Sequence, residues 1–194
     1  MATLYWFRRD LRLADNPSLV AAGSEVFAVV SNSALNGLSA IRRDSLVASW
    51  HSLNRSLGGY LGMVEDVAAT AIELGVAAVH CSRSFDPAGV AEQEALQAKL
   101  DSAGIRLVIG PGNYAVSPGS VRKPDGTPYR VYTPFFKAWF EHGWSAPISA
   151  PSDVSWLQVG QELPTDTGVK VGEAFALRTF ERFKVRALLE YNEE

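Results

Sequence analysis

The chain has 194 residues, 47% hydrophobic and 20% charged, which excludes a disordered polymer and leaves room for one domain plus part of another. A formal net charge of −3 excludes bulk electrostatic binding of nucleic acid, although a local basic patch is compatible with it. No apolar run approaches the roughly 18 residues of a membrane span, the start lacks a leader pattern, and the single cysteine, Cys81, has no intrachain partner, so a cytoplasmic protein without membrane contact is expected.

Leu4–Phe7 is a short apolar run that stops abruptly in the charge of Arg8, Arg9, Asp10 and Arg12. Val26–Val30 is a second, nearly continuous apolar run. Runs of this kind suit strands buried on both faces of a parallel sheet. Between them, Asn16–Ala22 reads as a short helix with Asp15 or Asn16 as its cap and Pro17 in its first turn. Arg42–Leu57 places Leu46, Trp50, Leu53 and Leu57 at three- and four-residue steps, the pattern of an amphipathic helix, and Gly58-Gly59 stops it. Leu61–Val64 is a brief third strand. Val67–Leu74 is a helix closed by Gly75, and Ala77–His80 is a fourth strand. Val90–Ala103 is a helix with Leu96 and Leu100 on one face, ended by Gly104, and Ile105–Ile109 is the fifth strand. Strands alternating with helices of this length predict right-handed crossovers and an α/β fold: a doubly wound, five-stranded parallel sheet of the Rossmann-like kind.

Beyond Ile109 the alternation breaks. The segment 110–172 is rich in Gly, Pro and Ser and carries one short helical stretch, Pro134–His142. It also holds Trp139, Trp144 and Trp156, which is unlike a solvated linker, so it is expected to lie against a surface. A helix then begins near Glu173, with Ala176, Phe180, Phe183, Ala187 and Tyr191 in one stripe. A lone helix this apolar needs a partner. The chain is therefore expected to be the front part of a longer protein, cut just inside a second, helical domain.

Neither a P-loop nor a Gly-x-Gly-x-x-Gly turn follows the first strand. His51, His80 and His142 are too scattered for metal-ligand spacing, and Cys81 reads as a small buried residue. In an open parallel sheet, ligands bind at the C-terminal ends of the strands, where strand order reverses. Three segments should reach that edge: Arg8-Arg9-Asp10, Ser31 to Arg43, and Ser82 to Pro87. Together they suit a planar ring with polar edges. For each residue taken singly, the plainer reading is structural: Arg8, Asp10 and Arg12 fix the strand-to-helix turn, and Arg42 starts a solvated helix.

The stretch from Trp6 to Pro17, WFRRDLRLADNP, resembles the opening signature of the DNA photolyase/cryptochrome family. Arg42 with Leu46, Ser52-Leu53 and Leu57-Gly58-Gly59 is similar to that family's second helix. Gly126 to Trp139, GTPYRVYTPFFKAW, resembles its interdomain segment, and Gly172-Glu173-Ala174 with Leu177, Phe180 and Tyr191 resembles the first helix of its flavin-binding domain. The resemblance implies three parts: residues 1–130 as an α/β antenna-binding domain, 131–172 as an interdomain connector, and 173–194 as the first helix of a truncated FAD-binding domain. It implies a deoxyribodipyrimidine photolyase, a carbon–carbon lyase that splits cyclobutane pyrimidine dimers in light, or a cryptochrome photoreceptor. From the class of binding modules, a free-standing nucleotide binder of the same fold is the rival.

The implied cofactors are an antenna pigment (8-hydroxy-5-deazaflavin or methenyltetrahydrofolate, in some members a flavin) and FAD in the missing domain. The implied partners are UV-damaged DNA, met through that domain by flipping the lesion out of the stack, and the domain itself. This chain alone is expected to be inactive in repair and to self-associate through its unpartnered connector and last helix. Its tryptophans read as core and docking residues. The pigment pocket is carried over onto Arg8, Asp10, Leu35, Leu38, Arg42, Ser84 and Asp86. Two departures are visible. Many members follow the last of these turns with Pro-Tyr-Gly and an Arg-Asp pair, whereas this chain has Pro87-Ala88-Gly89 and then Glu92-Gln93. The stretch Gly62 to Thr70 is shorter than is usual and lacks a Gly-Asp-Pro turn.

Overall fold

The computed structural model describes residues 1–188. Five parallel strands form the sheet: β1 (Thr3–Trp6), β2 (Glu25–Ser31), β3 (Leu61–Val64), β4 (Ala78–Ser82) and β5 (Arg106–Gly110). Their order across the sheet is β3-β2-β1-β4-β5, so the chain winds outward in one direction from β1 and then in the other from β4. This is the doubly wound arrangement, and order reverses between β1 and β4. The connecting helices are α1 (Pro17–Val20), α2 (Ala40–Ser56), α3 (Val67–Leu74) and α4 (Pro87–Ser102).

Alternate residues of a strand point to opposite faces, and β1 divides accordingly. Leu4 and Trp6 join Val29, Val79 and Cys81 of the neighbouring strands against Val67, Ala71, Leu96 and Leu100 of α3 and α4. Tyr5, with Phe7 just beyond the strand, joins Val26, Ala28 and Val30 against Leu19, Trp50, Leu53 and Leu57 on the α1–α2 side. Burying an aliphatic or aromatic side chain of this kind is worth about 1.5–3 kcal/mol, so two such layers account for the commitment of the first 110 residues to one fold.

Local signals fix the element ends. Asn16, not Asp15, caps α1 by accepting from Leu19 N, and Asp15 takes a left-handed turn at φ 51°. Gly75 closes α3 in the left-handed region at φ 61°, where a side chain would be strained. The helix expected from Val90 begins three residues earlier, at Pro87, because Asp86 caps it and Pro17's counterpart here, Pro87, opens its first turn.

The connector differs most from expectation. Its later part returns to the sheet as a sixth strand, β6 (Ser155–Trp156), which pairs in parallel with Glu25 and Val26 of β2. Along the same edge of β2, residues Ala28–Ser31 pair with β3, so β6 and β3 share that edge end to end. Gln161 then makes an antiparallel bridge to Met63 on the outer side of β3. Trp156 packs against the α1–α2 layer, whereas Trp139 and Trp144 stack on each other instead.

Helix α5 (Tyr132–His142) is different: none of its residues is buried, and Tyr132, Phe135, Phe136 and Phe140 are exposed. Its aromatics pack on one another and on Trp144 rather than on the sheet. Helix α6 (Glu173–Arg182) passes into a wider turn at Phe183–Ala187. The end of the helix expected to run to Tyr191 lies outside the described residues. Among those described, no helix is long and apolar enough to cross a membrane.

Candidate ligand-binding edge

The run from Trp6 to Pro17 leaves the sheet where strand order reverses. Asp10 is 1% exposed and sits at the centre of the turn. Its Oδ2 accepts from the Tyr5 hydroxyl, from Ser82 Oγ at 2.7 Å and from Asn16 Nδ2 at 3.2 Å, while Oδ1 accepts from the backbone N–H of Arg8 at 3.1 Å. A buried carboxylate is tolerable only with such donors. Burial, then the Asp10 charge, pushes the Tyr5 hydroxyl far above its ordinary range, so it stays protonated and donates. Asp10 thereby joins β1, α1 and β4.

Arg8 is equally committed. Its side chain is 7% exposed. Nη1 donates to Gln93 Oε1 at 2.8 Å, and Nη2 to the Gly89 carbonyl at 3.0 Å and to Glu92 Oε2 at 2.5 Å. The guanidinium also lies 4.5 Å from the centre of the Trp6 ring. Gln93 Oε1 accepts in addition from Ser84 N at 2.5 Å. The charge that follows β1 therefore straps the strand end to the first turns of α4. Arg9 is exposed and pairs with Asp86 at 3.4 Å.

Two pockets open on either side of that Arg9–Asp86 pair. The larger, of about 690 Å³, runs from Trp6, Phe7 and Arg8 past Ser31 and Ser33 to Leu38, Leu46 and Trp50, with Asp86, Gly89 and Glu92 on its far wall. The smaller, of about 230 Å³, lies at the reversal point among Arg8, Asp10, Ser82, Arg83, Ser84, Phe85, Asp86 and Tyr114. Of the residues carried over from the sequence, Arg8, Leu38 and Asp86 meet around the larger pocket, and Arg8, Asp10, Ser84 and Asp86 around the smaller. Leu35 is buried in the α1–α2 layer and Arg42 is exposed on α2; neither lines a pocket at this edge.

The larger pocket can hold a flat ring. Two indoles, Phe7 and three leucines give it apolar walls, and Ser31, Ser33 and Glu92 give it hydrogen-bonding groups. Ser31 and Ser33 belong to the segment the sequence placed at this edge, whereas Trp50 and Leu46 lie outside all three segments. Trp50 was legible only as core, because one turn of α2 serves both purposes. Cys81 faces the other layer, and burial pushes its thiol up to about 12, which removes it as a nucleophile. His80 on β4 is 7% exposed, and its Nδ1 has no hydrogen-bond partner among the described residues. Burial, then the Arg106 charge, lowers its pKa.

A family model described as DNA photolyase matches residues 3–152. A 31.6 kDa uncharacterized protein of Synechococcus sp. (strain PCC 6716) is 30% identical over 220 residues, covering 98% of this chain and 78% of that protein. The deoxyribodipyrimidine photo-lyase of Agrobacterium fabrum (strain C58) is 35% identical over 147 residues, covering 70% of this chain but 31% of the enzyme. The crystal structure of a class III photolyase from Agrobacterium tumefaciens superimposes with a TM-score of 0.70 at 32% identity, covering 86% of this chain and 37% of that one. The chain thus spans between about a third and a half of the photolyases it matches.

Proposed function

The chain belongs to the DNA photolyase family, and from that premise we propose that residues 1–130 are its antenna-pigment domain, followed by a connector (131–172) and the start of an FAD-binding domain (173–194). The observation that supports this reading is the indole-walled pocket of about 690 Å³ at the ligand-bearing edge of the sheet. The pigment is 8-hydroxy-5-deazaflavin, methenyltetrahydrofolate or a flavin, and when bound it collects near-ultraviolet or blue light for a second, catalytic flavin. In this reading Trp6, Trp50, Leu38 and Leu46 hold the ring and exclude water. Ser31, Ser33 and Glu92 orient its polar edge, and Arg8 holds Glu92 in place.

Catalysis, the FAD site and the contact with UV-damaged DNA belong to the helical domain that photolyases carry beyond the part matched here. The exposed aromatics of α5 and the apolar residues Leu177 and Phe180 of α6 are the surface on which that domain rests. Without it, the chain associates with itself through them.

The test has two parts. The chain, incubated with each pigment, should gain a near-ultraviolet or blue absorption band that survives gel filtration, and Leu38→Trp, which fills the pocket, should abolish it. Illuminated with a dimer-bearing oligonucleotide, the chain should repair nothing. Retention of pigment by the Leu38→Trp variant would place the site elsewhere, and repair would show that catalysis resides in this chain.

A further inference from the structure

Assuming the antenna reading of the larger pocket, we propose that it selects a tricyclic pigment with an uncharged, polyhydroxyl tail and rejects one whose tail ends in phosphate, with Glu92 and Glu65 enforcing the choice. The pocket continues into a neighbouring one of about 180 Å³ that shares Trp6, Ser31, Ser33 and Glu92 with it and is closed by Glu65, Asp66 and Lys99. The four shared residues set the two side by side as one trough.

Each cation along this trough is already matched. Arg8 pairs with Glu92 at 2.5 Å, Arg9 with Asp86 at 3.4 Å and Lys99 with Asp66 at 2.6 Å. Glu65 has no cationic partner among the described residues, so one carboxylate remains uncompensated. In folds of this type a phosphate is normally received by the free N–H groups that open a helix. Here side-chain caps occupy three of those groups, and each cap is a carboxylate. The Asp66 side chain accepts from Ala68 N at 2.8 Å and Ala69 N at 3.1 Å at the start of α3, and Asp86 accepts from Gly89 N at 3.0 Å at the start of α4. A phosphate entering either end would meet a carboxylate where it needs a donor. Helix α2 starts at Ser39 without a side-chain cap, but neither Ser39 nor Arg42 lines the trough. Hydroxyl groups, which both donate and accept, are compatible with every group present.

Riboflavin and FMN carry the same ring and differ by one phosphate, which makes them the probes. Titrated into the chain at low salt and followed by flavin fluorescence, riboflavin should bind at least about tenfold more tightly than FMN, a difference of about 1.4 kcal/mol. Glu92→Gln removes one charge and releases Arg8, so it should shift the riboflavin-to-FMN affinity ratio about tenfold towards FMN, whatever it costs both flavins through the ring contact. Glu65→Gln is exposed and touches no strap, so it tests the same idea without risk to folding and should tighten FMN about threefold. If FMN binds as well as riboflavin, or both substitutions leave the ratio unchanged, the charge selection is wrong and the pocket assignment stands. If only methenyltetrahydrofolate binds, the selection fails and the pocket assignment stands; if no flavin, deazaflavin or folate binds, both fail.

Discussion

Arg8, at the end of β1, donates from Nη1 to the side-chain oxygen of Gln93 on α4, 2.8 Å away and 85 positions later in the chain. Two further hydrogen bonds, to Gly89 and Glu92, complete the hold on that helix. Because Arg8 is almost fully buried, removing it takes one of two donors from Gln93 Oε1 and one from the Gly89 carbonyl, and leaves Glu92 without its cation. Arg8→Met should cost about 2–4 kcal/mol, read from urea denaturation. Arg8→Lys should recover less than half, because an ammonium cannot reproduce the guanidinium fork.

Asp10 offers a sharper contrast. In Asp10→Asn an amide NH₂ must replace one acceptor oxygen, facing donors from Tyr5, Ser82, Asn16 or Arg8. Tyr5→Phe removes one donor and leaves the carboxylate with three. The expected order is Asp10→Asn at about 2–4 kcal/mol and Tyr5→Phe at about 1–2 kcal/mol, measured as shifts in urea midpoint at constant slope. Equal losses would mean that the carboxylate is not the hub.

Acidification should weaken the fold in two stages. His80 has a folded pKa below its ordinary value of about 6.5. The unfolded chain therefore binds the proton first, and stability falls as pH drops below about 6.5 until the lowered folded value is reached. Asp66 is held below its ordinary value of about 3.9, first by its hydrogen bond from Lys99, with the backbone donors of Ala69 and Ala68 adding to it. Its contribution is complete above that value and is lost as pH falls through the lowered one. His80→Asn should flatten the first stage and Asp66→Asn the second, which for so exposed a pair is under about 1 kcal/mol. Denaturant midpoints from pH 7.5 to 3 decide both.

Gly62, inside β3, faces the backbone of Val159, and a Cβ there would collide with the Val159 carbonyl. Gly62→Ala should cost about 1–3 kcal/mol and raise amide exchange at Met63 and Gln161, which exchange two backbone hydrogen bonds. Unchanged exchange would show that the connector leaves the sheet freely.

The sheet and its helices were legible because buried strands and amphipathic helices have distinct periods. Leu46, Trp50, Leu53 and Leu57 mark α2 whatever surrounds them. What escaped was written in another alphabet. Strand β6 is two residues long and held through its backbone, so Ser155 and Trp156 carry no period to read. The partners of Asp10 are scattered at positions 5, 16 and 82, and nothing in the sequence says they converge. Gln93 was within reach: it sits on the stripe Gly89, Gln93, Leu96 and Leu100, all buried in α4, where a polar residue must have a partner. The pocket was half legible. The three segments do meet at the C-terminal edge of the sheet, but Leu35 packs into the α1–α2 layer and Arg42 is exposed on the first turn of α2, orientations that sequence position alone does not set.

The end-to-end pairing of β3 and β6 along β2 also sets a schedule for synthesis. Ser155 follows its partner Glu25 by 130 positions. At roughly 5–20 residues per second, the first half of β2 leaves the ribosome on the order of 6–26 s before the strand that covers its edge. During that interval Glu25 and Val26 present open backbone donors and acceptors, the usual invitation to pair with another chain. Slowing translation between residues 31 and 155 would lengthen that exposure without altering a single contact of the finished protein.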